Sequence, residues 1–249
     1  LKAWPYPRLI AHRGGGSLAP ENTLAAIRLG QSLGYRAHEF DVKLSKDAVS
    51  MLLHDATLER TTSGKGRAAD FAWAELGKLD AGGWHSKEFR GEPLASFADA
   101  AKLLRSKGTI ANVEIKPTPG FERETGLQVA REAALYWNNA TVPPLLSSFS
   151  FEALMAAKEA APHLPRAWLA DELKDEEWER LESLGAVSFN TSRKKIQPSQ
   201  VARLKEAEYR VQVYTVNDVE EAKRLFALGV DGLFTDNLRE FAKAFPELV

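Results

Sequence analysis

Short apolar runs of four to seven residues alternate with amphipathic stretches along most of this chain, and no other feature constrains its fold as tightly. Eight runs read as strands: Leu9 to His12, Ala37 to Asp41, Ile110 to Lys116, Leu145 to Phe149, Ala167 to Ala170, Ala186 to Asn190, Val211 to Thr215 and Gly232 to Thr235. Helix-start residues followed by one-sided apolar patterns come after nearly every run, as at Asn22 to Leu33, Ser96 to Leu104, Ser150 to Ala160, Pro198 to Lys205 and Asp218 to Leu228. Strands separated by helical crossovers pair in parallel, and eight such units in 249 residues predict one (β/α)8 barrel spanning residues 1–249 as a single domain. The rhythm breaks once. Residues about 45–95 carry an apparent strand, Val49 to Leu53, and then turn-rich sequence (Ser63-Gly64-Lys65-Gly66, Gly82-Gly83-Trp84), which predicts a compact insertion after the second barrel strand, at the catalytic mouth.

Charge and composition remove several function classes. Thirty-three basic against 34 acidic residues leave a formal charge of −1, so no general field draws nucleic acid or an anionic membrane. With no cysteine, disulfides, thiolate metal sites and a cysteine nucleophile are excluded. No apolar stretch approaches the ~18 residues a membrane span needs, so stable membrane insertion is not expected. The start, Leu1 to Pro7, has no signal-like apolar stretch, and a cytoplasmic location is the expectation. Barrels often dimerise, and a homodimer fits this reading, although no interface is legible in the sequence.

Reactive groups of such a barrel project from the C-terminal ends of its strands. Four run-ends carry unusual chemistry. Ile10-Ala11 leads into His12-Arg13-Gly14-Gly15-Gly16, where glycines would let backbone N–H groups approach an anion and Arg13 offers a forked donor for phosphate oxygens. In His38-Glu39-Phe40-Asp41-Val42 the two-residue period puts Glu39 and Asp41 on one face and sends His38 toward the helix layer. The same parity pairs Glu114 with Lys116. Three close carboxylates stay ionised together most simply around a cation, and an all-oxygen set favours Mg²⁺ or Ca²⁺, with manganese and zinc also open to it. Met51-Leu52-Leu53 ends in His54-Asp55, so a second histidine joins His12. Cleaving a phosphodiester needs a base for the attacking oxygen and an acid for the departing one, and His12 and His54 suit both roles near neutral pH. His85, in the insertion, and His163, near a helix end, are not assigned to the chemistry.

Taken together, His12-Arg13-Gly14 with Pro20-Glu21-Asn22-Thr23, Glu39-x-Asp41, His54-Asp55 with Arg60-Thr61-Thr62, and Glu114-Ile115-Lys116 resemble the glycerophosphodiester phosphodiesterase family, most closely its bacterial cytoplasmic members. Ser147-Ser148-Phe149, Tyr214-Thr215-Val216-Asn217 and Asp231 to Asp236 extend the likeness along the chain. The resemblance implies that His12 and His54 are the acid–base pair, that Glu39, Asp41 and Glu114 hold one divalent cation, and that Arg13 and Lys116 contact phosphate. It implies hydrolysis of a small-molecule glycerophosphodiester to sn-glycerol 3-phosphate and an alcohol, with water and the substrate's own 2-hydroxyl both available as attacking group. Tyr214 and Asn237 stand where many members have tryptophan and proline, a departure at the pocket wall. The competing readings are a lysophospholipase D or related enzyme acting on lipids, and a silent barrel that only binds a metal or phosphate.

Overall fold

A computed structural model describes residues 4–249 of the protein. In chain order its elements are β1 (Leu9–Ala11), α1 (Leu24–Ser32), β2 (Ala37–Leu44), β3 (Ser50–Leu52), α2 (Trp73–Leu76), α3 (Phe97–Ser106), β4 (Ile110–Ile115), α4 (Glu122–Tyr136), β5 (Leu145–Ser148), α5 (Phe151–Ala160), β6 (Arg166–Leu169), α6 (Asp175–Leu184), β7 (Ser188–Ser192), α7 (Pro198–Glu206), β8 (Arg210–Tyr214), α8 (Val219–Ala227), β9 (Gly232–Thr235) and α9 (Leu238–Ala244). The order β1-β9-β8-β7-β6-β5-β4-β2 returns to its start through a β1–β2 pairing, and every pairing around the ring is parallel. This is the expected (β/α)8 barrel. The ninth strand, β3, runs antiparallel to β2 with Val42 opposite Leu52, and opens the insertion.

The helices begin where short polar residues offer a cap. Thr23, Ser96, Ser150 and Asp218 each accept a hydrogen bond from the backbone N–H three residues on. Each such cap contributes about 1 kcal/mol. Strand parity then divides the core. Outward residues such as Phe40, Val42, Ala111, Val113 and Ile115 are buried in the large apolar cluster between barrel and helices. Their inward neighbours are polar: Glu39, Asp41, Asn112, Glu114, Asn190 and Gln212 are buried too. Polar side chains thus share the barrel interior with a small apolar cluster of Ile10, Ala37 and Phe234, and Glu39, Asp41 and Glu114 line the cavity at its mouth.

The insertion has a small core of its own, in which Met51, Leu53, Leu58, Leu76 and Leu94 bury themselves with Phe71 and Trp73 against them. Trp84 lies outside it and stays 42% exposed. Among the described residues no helix is long and apolar enough to cross a membrane.

Candidate active site

The register between β2 and β4 sets Asp41 beside Glu114, and Glu39 is two residues back on the same face. One oxygen from each of Glu39, Asp41 and Glu114 falls within 4.8 Å of the others, and all three residues are buried. Such a trio cannot remain fully ionised unaided. Burial, then the neighbouring Asp41 charge, pushes Glu39 up to about 8 and Glu114 up to about 7. Burial acts on Asp41 in the same direction, but His54, Arg13 and Lys116, with a hydrogen bond from Asn22, hold its carboxyl below the usual range. Asp41 thus keeps the negative charge. Asn22 fixes it by donating to Oδ2 at 2.8 Å and accepting from the Asp41 backbone N–H at 3.0 Å. The other oxygen, Oδ1, is buried with no hydrogen-bond partner. An orphaned anionic oxygen inside an all-carboxylate set fits a hard divalent cation.

His12 follows β1 and His54 follows β3, and both line one cavity of about 220 Å³ with the three carboxylates, Arg13 and Lys116. Each imidazole has its own aspartate. His12 Nδ1 lies 2.7 Å from Asp236 Oδ1, and His54 Nδ1 lies 2.7 Å from Asp55 Oδ1. Because a carboxylate only accepts, Nδ1 carries the proton in both rings and Nε2 is left for substrate. His12 Nε2 is 3.9 Å from Glu39 Oε2. Burial pulls the His12 pKa down, but the bond to Asp236 and the charges of Glu39 and Asp236 carry it above its ordinary value. For His54 burial prevails over Asp41 and Asp55, and its pKa falls.

The cations are held by partners. Lys116 Nζ donates to Glu114 at 2.9 Å and lies over the Phe149 ring. Arg13 donates to Glu21 at 2.8 Å, and Arg60 bridges Glu21 to Asp55. A chain of ion pairs therefore links Arg13 to His54. Lys43, buried beneath the site, donates to the His54 carbonyl at 2.9 Å, and burial lowers its pKa to about 8. Phe149, Leu169, Tyr214 and Phe234 form the apolar wall.

The glycine loop works differently from the anion cradle expected of it. The N–H groups of Arg13, Gly14 and Gly16 are taken by Glu39 Oε2, the Glu39 carbonyl and the His12 carbonyl. The glycines serve close packing instead: a Cβ on Gly15 would come within 2.7 Å of the Ala26 carbonyl, and one on Gly16 within 2.3 Å of that of Asp236. As expected, His38 turns away from the mouth, with its ring nitrogens near the Gly14 and Tyr35 carbonyls.

A sequence model of the glycerophosphoryl diester phosphodiesterase family matches residues 12–240, nearly the whole barrel and every site residue above. The chain belongs to this family. Among the family's bacterial members, a glycerophosphodiester phosphodiesterase of Caldanaerobacter subterraneus is 33% identical over 92% of this chain and 93% of its own. A phosphodiesterase of Oleispira antarctica, solved in complex with the product sn-glycerol-3-phosphate, shares 34% identity with a TM-score of 0.90, covering 96% of this chain and 97% of that one. A glycerophosphodiester phosphodiesterase of Agrobacterium tumefaciens superposes with a TM-score of 0.80 at 26% identity, over 96% of this chain and 100% of that one. Membership makes the protein a phosphodiester hydrolase. Four side chains around this site, Asp236, Asn217, Lys43 and Arg60, are given no role by the sequence pattern. Asp236 follows the last barrel strand, so the strand-end rule that singled out Glu39 and Asp41 reaches it as well.

Proposed function

We propose that the enzyme hydrolyses small glycerophosphodiesters to sn-glycerol 3-phosphate and an alcohol, using His12 and His54 as acid–base pair and one divalent cation, Mg²⁺ or Ca²⁺, at Glu39, Asp41 and Glu114. The observation that carries this reading is the meeting of two aspartate-held imidazoles with a buried carboxylate trio in one cavity. The cation, when bound, would supply Lewis-acid polarisation of the phosphoryl group.

The chain's own residues do the rest. Arg13, held by Glu21, and Lys116, held by Glu114, offer positive charge to the phosphoryl oxygens as negative charge builds on them. Both imidazoles work through Nε2. His12, whose partners favour its charged form, suits donation to the departing alkoxide, and His54, whose charged form is disfavoured, suits removal of a proton from the attacking hydroxyl. Opposed pKa directions on two histidines in one cavity are what such a division of labour needs.

A substrate panel tests the reading. Glycerophosphocholine and glycerophosphoethanolamine should each release sn-glycerol 3-phosphate, while lysophosphatidylcholine is turned over at least tenfold less efficiently. Preference for the lysolipid would overturn the small-molecule assignment, and no release from any of the three would overturn the activity.

A further inference from the structure

A second cleft opens beside the one just described. Its volume is about 380 Å³, and among its lining residues are Ser17, Glu21, Trp84, His85 and Asp236. His12 and Arg13 are the two residues that line both clefts. A phosphodiester has two arms joined at the atom under attack. Two cavities meeting at a phosphate-binding arginine and an acid–base histidine therefore suit its two arms, one each. The first cleft is walled by barrel strand-ends and suits the constant glycerol arm. The second is rimmed by the insertion and suits the departing alcohol.

Its chemistry narrows that alcohol. Trp84 is the largest exposed apolar side chain among the described residues, yet it is fastened: its indole N–H donates to the Ala81 carbonyl at 2.9 Å, and its ring meets His85 edge-on at 5.6 Å. His85 in turn packs edge-on against Phe89 at 5.5 Å, and its Nε2 lies 3.1 Å from the Ser17 carbonyl. That last contact clips the insertion to the loop carrying His12 and Arg13. The fastened indole lines the cleft together with two carboxylates, Glu21 paired with Arg13 and Arg60 and Asp236 paired with His12, and an aromatic face held in such a cleft attracts a cation.

We propose that this cleft is the leaving-group subsite, that Trp84 is its specificity-determining wall, and that it selects a small ammonium-bearing alcohol over a neutral polyol. The proposal rests on the phosphodiesterase reading above. Its test therefore has one arm independent of turnover. In the first arm, kcat/KM is measured for glycerophosphocholine and for glycerophosphoglycerol, whose departing arm is neutral. Trp84→Ala should lower the choline-to-glycerol ratio about tenfold, mainly through KM, and Trp84→Phe should recover most of it. In the second arm, choline alone is titrated while the indole N–H resonances are followed. One resonance, absent in Trp84→Phe, should shift on the wild type. An unchanged ratio in a folded Trp84→Ala, or no choline-dependent shift, overturns the subsite. Wild type that shifts with choline but hydrolyses neither diester overturns the activity and leaves the subsite standing.

Discussion

Asp236 and His12 lie 224 residues apart in sequence and 2.7 Å apart in space, joined where the last barrel strand closes on the first. Asn217 secures the pair from below, donating to the second Asp236 oxygen at 3.1 Å and accepting from the Asp236 backbone N–H at 2.8 Å. Asp236→Asn keeps the shape but loses the obligatory acceptor that sets the His12 tautomer. We expect kcat to fall by roughly 10²-fold or more, with KM within about threefold and an unchanged melting curve. Steady-state kinetics on glycerophosphocholine decide the point, since a KM-only effect would make Asp236 a binding residue.

Asn22 makes two hydrogen bonds to Asp41 from a buried position with positive φ. Replacing it with alanine leaves a charged oxygen and a backbone N–H without partners. The expected costs are roughly 1–3 kcal/mol of stability and roughly tenfold or more in divalent-cation affinity. Chemical denaturation and calorimetric titration measure the two separately. Unaltered cation affinity would mean that Asp41 is oriented by the strand alone.

The raised carboxyls predict how cation-free protein responds to pH. Glu39 moves from an ordinary 4.5 to about 8 and Glu114 to about 7, so the folded state holds protons that the unfolded chain has released. Their contribution to stability is full below about pH 4.5 and is lost as pH rises through 7 and 8. His38, lowered by burial from 6.5 to about 4, acts oppositely: its contribution is full above pH 6.5 and is lost on acidification toward 4. Between pH 6.5 and 8 His38 is silent, the raised His12 acts in the same direction as the carboxyls, and Lys43, lowered to about 8, opposes them only at higher pH. In EDTA the melting temperature should fall from pH 6.5 to 8, and added Mg²⁺ or Ca²⁺ should restore it most at the alkaline end. Glu39→Gln should flatten both trends, and a wild-type curve indifferent to pH and cation would contradict the charge assignment.

Gly16 has φ of +58°, and a Cβ there would meet the Asp236 carbonyl at 2.3 Å and the Leu238 side chain at 2.5 Å. Gly16→Ala must push the β9–α9 connection away from His12. We expect a loss of roughly 2–3 kcal/mol in denaturant melts, together with reduced kcat. Stability lost without any change in kcat would separate this loop from the catalytic geometry.

Much of this was legible in the chain because the barrel repeats one local pattern. Apolar runs with caps behind them located the parallel strands to within a few residues, as with Leu145 to Phe149 against β5 (Leu145–Ser148). The two-residue period placed Glu39 with Asp41 and Glu114 with Lys116, since parity is local information. What stayed hidden depends on register between distant strands. No local pattern says that Asp236 will meet His12, or that Arg60 will tie Glu21 to Asp55. The glycines after His12 were misread for the same reason, because their closest neighbours, Ala26 and Asp236, come from α1 and from the far end of the chain. Nothing local to Gly82-Gly83-Trp84 says that the insertion's small core forms without the tryptophan and leaves it exposed.

On the proposed mechanism, a cation at Glu39, Asp41 and Glu114 and proton transfer through His12 act together on one phosphodiester. The most direct measurement is sn-glycerol 3-phosphate release from glycerophosphocholine by EDTA-stripped enzyme, with Mg²⁺ or Ca²⁺ added back, for wild type, His12→Ala and Glu39→Ala. The expected result is wild-type activity only when cation is restored, with a loss of roughly 10³-fold in each variant at saturating cation. Full activity in EDTA, or an active His12→Ala, would contradict it.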